Sequence, residues 1–385
     1  MSNQSETIQT TSLTKAYQNI LKSIEITAQS INNEFPHYAD NVTGKWTCSP
    51  DGFWTGGYWN GLLWLAASQT NNSQYLKWAR KWTELLKKRI DSQTVFRGFL
   101  FYYGAALGNI LLDDEEAKNI ALAAAKSVAS QYNPRTNLIP LGNEAEEADS
   151  VGVSETNIDG VSATPLLLWA AHETNDSSIA EIGLKHAYKN KELSIREDGS
   201  VCQSASFDVD GNLVKRYTHK GYSDDSTWGR AQAWAMMHYT VGYQWAPSEE
   251  KLLHTAIEVS DWWINNLPTD GVAYWDFDDP AIPYTNRDTS ATSIAASALL
   301  KLSTLVEDKE KQEIYRSSAL KSINQLISNY LTPLNEQDER RPGMFLGGCF
   351  NKKVNEATNN ELIWGTYYLF ESIGVLMNYF NQNNY

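Results

Sequence analysis

Apolar residues recur with a helical period along almost the whole chain. The first apolar stripe comprises Leu13, Tyr17, Ile20, Ile24, Ala28 and Ile31, and it ends before Pro36. Further helices are predicted near 57–70, 76–90, 98–112, 113–132, 159–173, 177–191, 229–243, 249–267, 289–305, 309–330 and 361–379. Twelve helices with almost no strand pattern predict an all-α protein.

The connections between these helices alternate in length. Five joins are about two to four residues long. The other joins are mostly long and cover 34–56, 133–156, 193–228, 268–288 and 331–360. The join at 92–96 is short, although the alternation predicts a long one there. Antiparallel helix pairs would place all the long joins at one end. Six pairs without a sequence repeat predict a closed (α/α)6 barrel of twelve helices rather than an open solenoid. We expect one domain over 1–385, with 1–12 as a flexible N-terminal tail, because no linker interrupts the pattern.

Long loops on a rigid scaffold are where binding and catalytic residues concentrate. The long-loop end of the barrel is therefore the predicted active site. Trp54 precedes the second helix there, Phe96 and Arg97 precede the fourth, and Trp364 belongs to the group at the twelfth.

Composition narrows the class of ligand. The net charge of −14 over 385 residues argues against a nucleic-acid partner, since phosphate binding requires a basic surface. The 14 Trp and 20 Tyr residues supply faces that can stack on sugar rings. Three distant cysteines form neither a disulfide framework nor a metal-binding spacing. No apolar run predicts a membrane span, and the polar N-terminus predicts a cytoplasmic protein, or a periplasmic one if a signal peptide has been removed.

The stretch THKGYSDDSTWGRAQAW, residues 218–234, is the densest group of functional side chains. Asp225, Ser226 and Thr227 are predicted to cap the eighth helix, whose N-terminus suits an anionic ligand. The basic residues just before and within it suggest a local anion trap: Lys215, Arg216, His219 and Lys220. The structural alternative is a loop that caps a helix and buries Trp228 and Trp234 in the core.

Asp159 is the strongest candidate for acid catalysis. Its neighbours Ile158 and Val161 are apolar, and Gly160 leaves room beside it. A carboxyl group in such a place would be desolvated, which raises its pKa and allows it to donate a proton near neutral pH. Helix capping is the alternative role.

Five ordered blocks resemble glycoside hydrolase family 88, the unsaturated glucuronyl hydrolases, with family 105 more distant. They are WTGGYWNG, NIDG followed by PLLLWA, residues 218–234, YWDF with NRDTSAT, and IWGTYYL. The resemblance implies an (α/α)6 barrel that acts on lyase-generated acidic oligosaccharides and needs no cofactor or metal. An Asp protonates C4 of a C4=C5 unsaturated uronate, water adds at C5, and the glycosidic bond is lost. Asp159 matches that acid, and the positions matching substrate contacts are Trp54, His219, Trp228, Arg230 and Trp234.

The chain departs from the family pattern at several positions. Phe96 stands where the family has a second active-site Asp, and Arg97 follows it. Gln203 aligns with a substrate-facing His, Lys220 with a Gln, and Thr366 with an Asp. Asp149 and Glu155, on the loop before the sixth helix, are possible replacements for the missing acid.

Three functions remain open at this stage. The first is a hydrolase for unsaturated uronyl residues of acidic oligosaccharides, including sulfated ones. The second is a dehydratase that removes water across C4–C5 of a saturated uronate, and the third is a sugar-binding barrel without activity. The catalytic candidates are Asp159, His219, Tyr222 and Arg230, and the substrate-binding candidates are Trp54, Phe96, Arg97, Gln203, Lys220, Trp228, Trp234 and Trp364. A monomer or weak homodimer without a nucleic-acid or membrane partner is expected.

Overall fold

The computed structural model describes residues 8–70, 72–333 and 338–379. Its main helices are α1 (Thr10–Ser30), α2 (Gly56–Gln69), α3 (Ser73–Leu86), α4 (97–112), α5 (Glu115–Ala129), α6 (Ala163–Thr174), α7 (Ser177–Ser194), α8 (Gly229–Trp245), α9 (Glu250–Asn266), α10 (Thr289–Leu305), α11 (Lys309–Asn329) and α12 (Ile363–Leu376). Helix α4 contains a π-helical turn, Tyr102–Ala106, between two α-helical segments, Arg97–Phe101 and Leu107–Leu112.

The even-numbered helices form a closed inner ring. Helix α2 contacts α4, and the contacts continue through α6, α8, α10 and α12, which returns to α2. Each inner helix also packs against an outer helix next to it in sequence, and α1 packs on α12. The predicted (α/α)6 barrel is therefore confirmed.

Burial explains why the two rings have different sequence patterns. Every residue of α8 from Gly229 to Gly242 is buried, so apolar or small residues occur on all of its faces, with a few buried polar side chains such as Arg230 and Gln232 among them. The outer helix α7 buries only one side, which includes His186, Ala187 and Leu193. The predicted N-terminal tail was too long, because α1 already begins at Thr10; residues 1–7 lie outside the described part of the chain.

Two small antiparallel sheets cover the long-loop end. The first has the order β2-β1-β6, formed by β1 (Phe35–Ala39), β2 (Trp46–Ser49) and β6 (Glu361–Leu362). The second has the order β3-β4-β5, formed by β3 (Thr156–Asn157), β4 (Ser204–Phe207) and β5 (Leu213–Tyr217). The sequence pattern missed these strands because each is only two to five residues long. They hold the long loops in place over the barrel mouth.

In the described segments, no helix is both long and apolar enough to cross a bilayer.

Candidate active site

Asp159 lies where the second sheet meets the barrel. Strand β3 ends at Asn157, and a 3-10 turn, Ile158–Ser162, leads directly into α6. The Asn157 side chain caps this turn by accepting a hydrogen bond from the Gly160 N–H at 3.2 Å. Asp159 is thus fixed at the N-terminal end of an inner helix, as predicted.

Neighbouring helices fix the position of this turn. A Cβ atom on Gly98 of α4 would lie 2.3 Å from the Ser162 carbonyl carbon, so only glycine allows this close approach. From the other side, His186 of α7 hydrogen-bonds the Gly160 carbonyl oxygen through Nε2 at 2.9 Å. Burial lowers the pKa of His186 to about 4, so it serves here as a neutral hydrogen-bonding group.

A narrow cleft opens beside Asp159. It encloses about 230 Å³ and is lined by Trp54, Phe96, Phe99, Glu146, Glu147, Asp159, Lys220, Trp228 and Arg230. One carboxyl oxygen of Asp159, Oδ2, is buried without a hydrogen-bond partner among the described residues. Burial, together with the negative charge of Glu147, raises the pKa of Asp159 to about 7, against the opposing charges of Lys220 and Arg230. Asp159 can therefore hold a proton near neutral pH, as a general acid must.

Lys220 is a buried cation that lines the same cleft as Asp159. Its side chain is 3% exposed, and Nζ donates to Glu147 Oε1 at 2.9 Å and Glu146 Oε1 at 3.3 Å. Burial lowers the pKa of Lys220, but attraction to the two glutamates outweighs it and the net direction is upward. The ammonium also lies 4.6 Å from the centre of the Phe350 ring.

Glu147 is held as an anion by several donors. Besides Lys220, it accepts hydrogen bonds from Asn157 Nδ2 and from Gln203 Nε2, the latter at 3.2 Å. Burial alone would raise its pKa, but the charges of Lys220 and His219 and these hydrogen bonds lower it. Burial raises the pKa of Glu146, whose Oε2 accepts a 2.7 Å hydrogen bond from the indole N–H of Trp54.

Gln203 organises the loop that carries Lys220. Its Oε1 accepts from the Thr218 hydroxyl and from the backbone N–H groups of His219 and Lys220, at 2.7–3.1 Å. It acts as a loop anchor beneath the cleft and does not line it. His219 is half-buried beside Glu147, and burial lowers its pKa.

Two predicted site residues lie elsewhere. The Arg97 guanidinium is buried and points away from the cleft, donating to the Ile90 carbonyl and the Ser127 hydroxyl at 2.6 and 2.7 Å. The Tyr222 side chain is 48% exposed. The sequence correctly placed Arg97 at the start of α4. Its side chain, however, does not point towards the cleft. The predicted catalytic role of Tyr222 finds no support in this geometry.

Arg230 lines the cleft but is largely occupied by structural contacts. Its Nη1 donates to Asp288 Oδ2 at 2.5 Å and to the Cys349 carbonyl at 2.6 Å, and Nη2 donates to the Phe350 carbonyl at 2.5 Å. Asp288 also caps α10. Since Asp288 compensates its charge, Arg230 is better suited to shaping the cleft than to activating a substrate, contrary to the predicted catalytic role.

The predicted tryptophans divide into two layers. Trp54 and Trp228 line the cleft, and the Arg230 guanidinium lies 4.3 Å from the centre of the Trp228 ring. Trp364 and Trp234 are fully buried behind them, at centroid distances of 4.9 and 6.4 Å from Trp54. The outer pair can contact a ligand, whereas the inner pair supports the wall.

Besides Asp159, two acids from the segment before α6 line the cleft, but they are not the two that the sequence pattern suggested. Phe96 lines the cleft with an apolar ring, as its place in the pattern predicted. Asp149 is exposed, however, and Glu155 accepts a hydrogen bond from the Tyr217 hydroxyl. The carboxylates that reach the cleft are Glu146 and Glu147. The only signal for them was the acidic run EAEEAD in a long loop.

Of the four basic residues in the predicted anion trap, only Lys220 lines the cleft. Lys215 pairs with Asp224 at 2.7 Å on the surface, and Arg216 donates to the Leu193 carbonyl at 2.7 Å. The predicted cap of α8 is also wrong, because the N-cap residue is Trp228, and the Ser226 hydroxyl donates to Asp276 instead.

Two larger grooves lie on the outside of the barrel. One, of about 1,010 Å³, borders α1 and β2, and the other, of about 1,140 Å³, borders α7 and α9. Some of their charged side chains are engaged in ion pairs, such as Arg341 with Glu361 and Lys191 with Glu258. The smaller cleft is the better candidate because it alone of the three contains the buried acid at the barrel mouth.

No family model matches the chain. An unsaturated glucuronyl hydrolase from Formosa agariphila is 30% identical over 376 residues, covering 93% of this chain and 91% of the relative. The chain belongs to the unsaturated glucuronyl hydrolases, glycoside hydrolase family 88. The family member from Bacillus sp. strain GL1 is 28% identical over 360 residues, covering 91% of this chain and 94% of its own. A solved unsaturated glucuronyl hydrolase variant with dGlcA-Glc-Rha-Glc matches at a TM-score of 0.87 and 28% identity, over 95% of this chain and 97% of its own.

As a member of this family, the protein is a hydrolytic enzyme. Family membership favours hydrolysis over the dehydratase and binding alternatives. The cleft contains Lys220, Glu146 and Glu147 together with Asp159, and the ring of Phe96 also lines it.

Proposed function

We propose that the enzyme hydrates the C4=C5 bond of an unsaturated uronyl residue at the non-reducing end of an acidic oligosaccharide, with Asp159 as the proton donor. The observation that carries this proposal is a buried carboxyl group with a raised pKa and an unpaired oxygen facing a cleft with aromatic walls. A protonated carboxylic acid is the group that an electron-rich enol ether requires.

The proposed reaction adds one water molecule in two steps. The Asp159 O–H donates its proton to C4, the C4=C5 electrons form the new C4–H bond, and the ring oxygen stabilises the positive charge left at C5. Water then forms a bond to C5 and returns a proton to the Asp159 carboxylate. The resulting hemiketal opens at the bond between C5 and the ring oxygen, giving a C5 ketone. The hemiacetal at C1 then releases the neighbouring sugar as an alcohol.

Ultraviolet absorbance tests this function directly. The conjugated C4=C5 carboxylate absorbs and a saturated uronate does not, so the signal of lyase-generated disaccharides should fall in the presence of the enzyme. A rise of the signal from oligosaccharides with saturated ends would instead identify the dehydratase. Binding of either substrate without a change in absorbance would identify a binding protein.

Glu146 marks where the substrate carboxylate binds. The Trp54 indole N–H and the Lys220 ammonium both donate to the Glu146 carboxylate, and together they form a site for an anion. The space in the cleft that a water-sized sphere can occupy is only about 10 Å³, against the roughly 300–1,000 Å³ typical of ligand pockets. We therefore infer that the uronate carboxylate displaces Glu146 from these two donors.

Replacing Glu146 by Ala should lower KM for the acidic disaccharide by about three- to tenfold, since the substrate no longer competes with an internal carboxylate. The turnover number kcat should change less, because Glu147 and Asp159 remain. Asp149→Ala is the matched control, because it removes an exposed acid from the same segment. Steady-state kinetics check this result, and an unchanged or raised KM for Glu146→Ala alone would contradict the displacement.

A further inference from the structure

The protonation of Asp159 presents a physical problem. Two cations, Lys220 and Arg230, act on its carboxyl group and favour the ionised form, although Arg230 is itself paired with Asp288. An ionised Asp159 could not donate a proton to C4. Burial of Asp159 is the largest effect that opposes ionisation, and a neighbouring negative charge would add to it. Phe96, just before α4, offers no such charge.

We propose that Glu147 is the positioning residue that keeps Asp159 in its acid form, and that the segment before α6 supplies it in place of a carboxylate on α4. This inference rests on the proposed role of Asp159 as proton donor. Glu147 lines the same cleft as Asp159 and is 2% exposed.

The surroundings of Glu147 are built to keep it charged. Its three hydrogen-bond donors are Lys220, Asn157 and Gln203, which belong to three separate segments of the chain. Asn157 also caps the turn that carries Asp159, so the position of Glu147 is mechanically linked to that of the acid. An ionised carboxylate beside a second carboxyl group opposes ionisation of the second.

The other groups around Asp159 do not supply this effect. Among the described residues, the ionisable groups that line the cleft or act on Asp159 are Glu146, Glu147, Lys220, Arg230 and, from α2, Tyr58. Burial raises the pKa of Glu146, so it is a weaker source of negative charge, and Tyr58 is neutral near pH 7 because its pKa is raised by burial. Helix α4 contributes the apolar rings of Phe96 and Phe99.

The titration of Asp159 can be followed without a substrate. In protein labelled with 13C at Asp and Glu carboxyl carbons, the Asp159 signal is the one that disappears in Asp159→Asn. We expect its midpoint to fall by about one pH unit in Glu147→Gln, and to move by less than half of that in Glu147→Asp, which retains the charge. Asp149→Asn, which neutralises an exposed acid of the same segment, should leave the midpoint unchanged.

The wild-type protein gives a second test that needs no substitution. Coupled carboxyl groups titrate together, so the Asp159 signal should show a smaller second inflection at the acidic pH where Glu147 is protonated. A single inflection, or an unchanged midpoint in a folded Glu147→Gln protein, would overturn the inference.

Kinetics separate this inference from the proposed function. In Glu147→Gln, the alkaline limb of kcat/KM should move to lower pH together with the Asp159 midpoint. A uniform loss of activity with the limb unmoved would show that Glu147 is only structural. If the wild type acts on no unsaturated uronyl substrate, the proposed function fails while the titration still decides the role of Glu147.

Discussion

Asp159→Asn is expected to lower kcat on an unsaturated uronyl disaccharide by about a thousandfold, because the amide cannot donate a proton to C4. General acid–base groups typically contribute about 10²–10⁴-fold to a rate. The amide has nearly the same shape as the carboxyl group, and Asp159 Oδ2 has no hydrogen-bond partner to lose. The loss should therefore appear in kcat with little change in KM, as measured by absorbance under saturating substrate.

The same substitution should not destabilise the fold. The pKa of Asp159 is raised in the folded state, so the wild type loses stability as the pH rises from the unfolded pKa near 4 towards about 7. Asn does not titrate, so the stability of Asp159→Asn relative to the wild type should increase over this range, by roughly 1–3 kcal/mol. Urea unfolding at pH 4.5 and 7.5 measures this difference. Substantial turnover by a folded Asp159→Asn protein would remove Asp159 from the role of proton donor.

Lys220→Met is expected to have the second largest effect. Removal of one partner of a buried ion pair typically costs about 3–5 kcal/mol, and here it leaves Glu146 and Glu147 without their shared cation. We expect the free energy of unfolding at pH 7 to fall by about 3 kcal/mol. The KM for an acidic substrate should also rise by at least about tenfold, because the anion site loses its charged donor.

The pH dependence of this loss follows from Glu147. In the wild type its pKa is lowered in the folded state, so its contribution to stability is present above the unfolded pKa and is lost as the pH falls. The loss in the free energy of unfolding of Lys220→Met, relative to the wild type, should therefore be largest near pH 7 and should shrink towards pH 4. Lys220→Arg is the control, because it retains the charge, and its deficit should be smaller at every pH. Equal stability of Lys220→Met and the wild type at pH 7 would contradict the assigned ion pair.

The barrel could be predicted from the sequence because each ring has a simple physical signature. Inner helices such as α8 are buried on every face and carry apolar or small residues all round, and outer helices such as α7 carry a single buried stripe. The alternation of long and short joins then indicated at which end of the barrel the active site lies. Strands such as β3, of two residues, are too short to produce a pattern.

The candidate site was only partly predictable, because local sequence does not reveal side-chain direction. Asp159 was identified from its apolar neighbours, and Lys220 from its place in a basic run. Arg97 and Tyr222 lie close in sequence to cleft residues, yet one points into the barrel wall and the other into solvent. Glu147 depends on contacts with Asn157, Gln203 and Lys220, and no spacing in the sequence indicates that these residues meet.

The position at which hydrogen from the solvent enters the product tests the central claim most directly. Turnover of an unsaturated disaccharide by the wild type in D2O can be followed by proton NMR. Protonation by a fixed acid predicts one deuterium on a single face of C4, appearing at the rate at which the alkene signal is lost, with no free unsaturated monosaccharide. Deuterium divided between both faces of C4, or an unsaturated monosaccharide released before the alkene signal falls, would contradict protonation of C4 by Asp159.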